Sequence, residues 1–152
     1  MQKKLYGYFF LAFFIFIIDR ISKCAALTWC INIPYIITSF LSCELHFNRG
    51  ISWGLLHSDS ACMFVAVSVM IALITALLCW HVYYQYMRGY SIIGQLCIIV
   101  GSLSNLIDRV VYHGVIDFVL FSYNGWSWPV FNAADAAIVL GVAIMVFQNE
   151  KS

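Results

Sequence analysis

Charged residues are scarce in this sequence. They make up 10% of its 152 residues, against 63% hydrophobic, and the mean hydropathy is +0.89. A water-soluble domain carries about 25% charged residues. So few cannot clothe a surface that faces water, and an integral membrane protein is expected. Neither sign is in excess: a net charge of +1 gives no suggestion of a nucleic-acid partner. Common site signatures are also missing. There is no HExxH, and His46, His57, His81 and His113 are dispersed, so no metal site is expected. There is no GxSxG, and no serine has an evident histidine partner. No CxxC occurs among Cys24, Cys30, Cys43, Cys62, Cys79 and Cys97. They read as small buried hydrophobes, although Cys30 and Cys43 share one loop and are able to pair in an oxidising compartment.

What is present is a series of apolar runs. Leu5–Ile18 follows Lys3 and Lys4 and is long for a cleaved leader, with no A-x-A site after it, so a retained helix over about 5–27 is expected. Three more spans are expected over about 60–80, 91–108 and 131–147. Between the first two, Pro34, the run Tyr35–Thr38 and the run Cys43–Phe47 suggest two or three short strands, with a turn at Asn48-Arg49-Gly50. The fold class is thus an all-α membrane protein: one domain over 1–152, four transmembrane helices, and outer loops at 28–59 and 109–130. Lys3, Lys4, Arg88 and Lys151 fall at the two termini and the middle loop. The positive-inside rule makes that side cytoplasmic.

Seven acids serve the whole chain, and Asp108, Asp117 and Asp135 lie in one stretch. Ionisable groups set against hydrocarbon are costly and usually mark a working site. At 1.5 Å per residue, Asp19 lies about 21 Å along the first helix and Asp108 roughly 26 Å along the third. Asp135 is about one turn into the fourth, counted from the outer side, and Asp117 lies in the loop between. Four carboxylates therefore converge at the outer membrane edge. Gly101, Asn105 and Asp108 share one stripe of helix three, which Gly94, Cys97 and Ser104 extend with small residues that admit a close neighbour. Asn132 and Asp135 share a face of helix four, continued by Val139 and Ala143.

Two carboxylates brought close share one proton. One polarises a scissile carbonyl while the other takes a proton from water. Asp117, on a loop, and Asp135, at a helix start, are the best pair to face each other across a cleft. Asp108 and Arg109 read as a structural ion pair at a helix end. Asp19 and Lys23 read as an i,i+4 pair.

Five blocks resemble lipoprotein signal peptidase, the bacterial type II signal peptidase: Asp19-Arg-Ile-Ser22-Lys23, Phe47-Asn48-Arg-Gly50-Ile-Ser-Trp-Gly54, Asn105-Leu-Ile-Asp108-Arg109, Gly114-Val-Ile-Asp117-Phe118 and Phe131-Asn132-Ala-Ala134-Asp135. They run in order over most of the chain. Ser104 stands where the family pattern has glycine, and Ser52 and Trp53 where alanine and phenylalanine are common. The resemblance implies an aspartic endopeptidase of the bacterial inner membrane that works without a cofactor. It would cut diacylglyceryl-modified prolipoproteins just before the lipidated cysteine. It implies Asp117 and Asp135 as the catalytic pair, supported by Asp19, Lys23, Asn48, Gly50, Asn105, Asp108, Arg109, Asn132 and Ala134. It also implies a small strand cradle on the outer surface. Asn132 reads as a helix cap whose amide also holds substrate backbone or a lipid carbonyl. Asn48 reads as a substrate contact, and Trp53, Trp126 and Trp128 as walls of an acyl groove. The expected state is a monomer among membrane lipids, with no nucleic-acid partner. The alternatives are a small proton-coupled transporter, whose acids belong nearer the midplane, and a non-catalytic scaffold.

Overall fold

The computed structural model describes residues 2–31, 33–50 and 60–149. Four helices carry most of the chain: α1 (Gln2–Trp29), α2 (Ala61–Met87), α3 (Ile93–Tyr112) and α4 (Ala133–Asn149). α2 and α3 are long and apolar enough to cross a membrane, and α4 is apolar over a shorter stretch, Ala133–Phe147. Polarity is distributed as hydrocarbon surroundings require. Asp19, Lys23, Asp108 and Asn132 are buried, while Phe9, Phe14, Leu77 and Val139 are exposed.

Helix ends differ from the sequence expectation where no breaker intervenes. α2 continues from Trp80 to Met87, so the expected loop His81–Tyr90 shrinks to a few residues. Gly89 then stops it at φ 82°. The Gly89 and Tyr90 amides donate to the carbonyls of Tyr86 and Gln85, the paired bonds of a Schellman end. α3 runs past Asp108 to Tyr112 and ends on His113 in the left-handed region.

The helix-three stripe packs on α4. A Cβ at Gly101 would lie 2.6 Å from the Ala134 carbonyl oxygen, and one at Gly94 would lie 2.7 Å from that of Gly141. Only glycine admits backbones this close. The α4 face meeting the stripe runs through Ala134, Ile138, Gly141 and Met145. Val139, the expected continuation of the Asp135 face, is 69% exposed and stands outside this contact. A helix turns 100° per residue, so Val139 lies well off the line through Ala134 and Ile138.

The cradle is a four-stranded antiparallel sheet in the order β1 (Tyr35–Ile36), β2 (Leu41–Asn48), β3 (Val115–Tyr123), β4 (Trp126–Ser127). Half of it comes from 109–130, where a loop is expected from the sequence. Asn124-Gly125 makes the β3–β4 connection with positive φ at both residues, the two-residue hairpin that this dipeptide favours. Asp117 therefore stands on a strand, opposite His46.

Cys30, just past α1, is disulfide-bonded to Cys43 of β2. Of the other four cysteines only Cys97 is buried; Cys24, Cys62 and Cys79 are exposed, against the expectation of buried small hydrophobes. In hydrocarbon an exposed thiol meets an apolar solvent, so nothing drives it inward.

Candidate active site

Asp135 is placed by the start of its own helix. Asn132 caps α4: its Oδ1 accepts from the Asp135 amide at 2.9 Å, and Asp135 Oδ2 accepts from the Asn132 amide at 3.3 Å. This reciprocal pair is a capping box, with the acid at the position that suits the helix dipole. The other Asp135 oxygen accepts from Asn105 Nδ2 of α3 at 2.8 Å.

Asp117 is placed by strand alternation and is 2% exposed. Its Oδ1 accepts from Asn132 Nδ2 at 2.6 Å, and its Oδ2 from Asn48 Nδ2 at 3.0 Å. A single residue, Asn132, thus bonds both carboxylates. Burial, and then the charge of Asp135, push the Asp117 carboxyl up to about 7, against the pull of the two asparagine amides. An acid in this state holds its proton near neutrality.

Behind the pair lies a buried charge cluster. Lys23, 1% exposed, reaches Asp19 at 2.9 Å and Asp108 at 2.7 Å. Its ammonium also donates to Asn105 Oδ1 at 2.8 Å. Arg20 bridges the same two acids, at 3.2 Å from Asp19 and 2.7 Å from Asp108. Two cations and two anions cancel, which makes burial tolerable. The cluster also orients the site. Asp19 accepts from the Ala134 amide at 2.8 Å and from Ser104 Oγ at 2.6 Å. Asp108 accepts from the Ile116 amide at 3.3 Å, one residue before Asp117 on β3.

Two sequence expectations fail here. Asp108 and Arg109 do not pair with each other: neighbours in a helix point about 100° apart. Arg109 instead donates to the carbonyls of Arg49 and Gly50. The Asn132 amide is also not free for a substrate. It is fully buried, and its hydrogens go to Asp117, Ile116 O and Asn105 Oδ1. Asn48 Oδ1 accepts from the Gly50 amide at 2.9 Å, so the turn is an Asx turn. Trp126 and Trp128 pack edge to face at 5.8 Å, well exposed at the β4 end of the sheet. Ser52, Trp53 and Gly54 lie outside the described residues.

Asn48, Asn105, Arg109, Asp117 and Asp135 open on one cavity of about 260 Å³, with Ile71, Ile74 and Thr75 of α2 on its other side. A larger apolar cavity of about 580 Å³ lies between the end of α1 and the sheet. Its described walls hold no carboxylate or histidine, whereas Asp117 and Asp135 both line the smaller one. Two residues of the site have no role in the sequence expectation: Arg20, and Phe64, whose ring lies under the Arg109 guanidinium at 5.4 Å. A cation inside an apolar helix was the available signal for Arg20. For a phenylalanine in a phenylalanine-rich sequence there was none.

The family profile described as signal peptidase (SPase) II matches residues 11–149. The chain belongs to the signal peptidase II family. This family member is 33% identical over 136 residues to a lipoprotein signal peptidase of Burkholderia ambifaria, covering 89% of this chain and 82% of the relative. It is 31% identical over 145 residues to one from Polynucleobacter necessarius, covering 95% and 89%. Among solved structures it resembles a bacterial membrane enzyme at TM-score 0.75 and 26% identity, over 95% of this chain and 88% of that one. A second bacterial membrane enzyme structure matches at TM-score 0.70 and 26% identity, over 93% and 91%. This signal peptidase II relative is accordingly a bacterial membrane peptidase. The transporter alternative gains no support from these relatives.

Proposed function

We propose that the protein is an aspartic endopeptidase whose catalytic pair is Asp117 and Asp135. It removes signal peptides from prolipoproteins, and its substrate is the diacylglyceryl-modified form, cut just before the lipidated cysteine. The observation that carries this reading is the sharing of Asn132 by two carboxyls at the wall of one cavity. The pair holds one proton between pH values set by burial and mutual repulsion. Asp117 donates that proton toward the oxygen of the scissile carbonyl. Asp135 takes a proton from the attacking water, whose oxygen bonds to the carbonyl carbon. Collapse of the tetrahedral adduct returns a hydroxyl proton to Asp117 as the C=O re-forms, breaks the C–N bond, and sends the proton on Asp135 to the leaving amine. Asn48 and Asn105 hold the outer oxygens of the pair, while Asp19, Lys23, Asp108 and Ala134 fix the elements that carry them. Gly50 and Arg109 pin the end of β2.

All four helices span the bacterial inner membrane over about 5–27, 60–80, 91–108 and 131–147, with α2 extending further as an exposed turn or two. Both termini are cytoplasmic, and the sheet and the pair stand at the extracytoplasmic face. The enzyme works as a monomer among membrane lipids. The test is cleavage of a lipidated prolipoprotein peptide by purified protein. Asp117→Asn and Asp135→Asn each abolish cleavage while the protein still inserts and accumulates; near-parental turnover in either would sink the dyad.

A further inference from the structure

Phe64 stands in the first turn of α2 and is one of three buried residues of that helix, with Val67 and Thr75. Two guanidiniums lie against its ring: Arg109 Cζ at 5.4 Å from the centroid and Arg49 Cζ at 5.6 Å. Both distances are within cation–π range. The Nε atoms of both arginines are buried and hydrogen-bonded to nothing among the described residues, as fits side chains laid on a ring rather than aimed at an acceptor. The salt bridges of the buried charge cluster use Arg20 and Lys23, not these two.

The contacts continue from this ring to the reacting pair. Arg109 grips the Arg49 and Gly50 carbonyls, the Gly50 amide is held by Asn48 Oδ1, and Asn48 Nδ2 holds Asp117 Oδ2. Arg109 also lines the reaction cavity and lies in the field of both Asp117 and Asp135. We propose that Phe64 is a positioning residue: its ring face seats Arg109 and Arg49, which sets Asn48 against Asp117 and keeps the Arg109 charge beside the carboxyl pair. α2 lines the cavity with Ile71, Ile74 and Thr75, and through Phe64, outside that lining, it touches Arg109, which lines it too. This rests on the aspartic reading of the pair.

The test compares Phe64→Leu, which keeps apolar bulk without a π face, with Phe64→Tyr and Phe64→Trp, which keep the face. Cleavage of a lipidated prolipoprotein peptide is followed across pH. Phe64→Leu is expected to lower kcat about tenfold with KM within about twofold, a loss of the size a desolvated cation–π contact carries. Its pH profile should also move upward, because a cation withdrawn from two carboxyls leaves both harder to ionise. The aromatic replacements should restore rate and profile. If Phe64→Leu does not accumulate, 3,4,5-trifluorophenylalanine at this position keeps the shape, drains the ring face, and should show the same loss. Parental rate and profile in the leucine or trifluoro variant, or an equal loss in all three replacements, would overturn the inference. Activity surviving in Asp117→Asn and Asp135→Asn would instead overturn the reading beneath it.

Discussion

At the scale of single residues, the proton on Asp117 is the feature with the most consequence. Its carboxyl sits at about 7 rather than the ordinary 3.8, first because it is buried and second because Asp135 is near. The folded state therefore binds this proton more tightly than the unfolded chain does. The resulting stabilisation is complete below about pH 4 and is lost as pH rises toward about 7. On the proposed mechanism turnover follows the same ionisation, with kcat falling above about pH 7 as Asp117 loses its proton. A kcat profile flat from pH 6 to roughly pH 9 would contradict that. Lys23 gives a second test. It neutralises Asp19 and Asp108 at once, and both acids are wholly buried. Lys23→Met leaves Arg20 alone against two anions. Stranding a buried charge costs about 3–5 kcal/mol, so thermal unfolding in detergent should shift markedly downward.

At the scale of elements, the approach of α3 to α4 decides where Asp135 sits relative to Asn105. Gly101 lies against the Ala134 carbonyl one residue before Asp135. Gly101→Leu should push the helices apart, break the 2.8 Å bond from Asn105, and lower both stability and turnover. Overpacking of this kind costs about 1–3 kcal/mol. Parental activity in this variant would show that the pair tolerates a separated helix. The helices themselves were legible in the sequence because apolar runs and the small-residue stripe are local patterns. The second half of the sheet was not. Val115–Tyr123 is paired with Leu41–Asn48 across more than sixty residues, and no local pattern names a strand's partner. The Asn124-Gly125 turn was the one local clue to it.

At the scale of the whole molecule, the disulfide between Cys30 and Cys43 ties the end of α1 to the sheet and fits an extracytoplasmic, oxidising side. The proposed topology then puts the β3–β4 hairpin outside and the α2–α3 turn inside. Tyr123→Cys and Tyr90→Cys place thiols at exposed positions of each, at 71% and 60% exposure. A membrane-impermeant maleimide applied to intact spheroplasts should label the first and not the second; the reverse pattern would invert the orientation.

What this sequence determined by itself was that its acids are few and costly, and that four of them are spaced to reach one level. Helical rise and the expense of charge in hydrocarbon act on every residue regardless of what it packs against. Only the tertiary structure decided the partners. It set Arg20 and Lys23 against Asp19 and Asp108, sent Arg109 to the end of β2 rather than to Asp108, and used Asn132 to join the carboxyls of Asp117 and Asp135. Those choices depend on which side chains from distant segments meet in a dry interior, where each buried donor must find its acceptor.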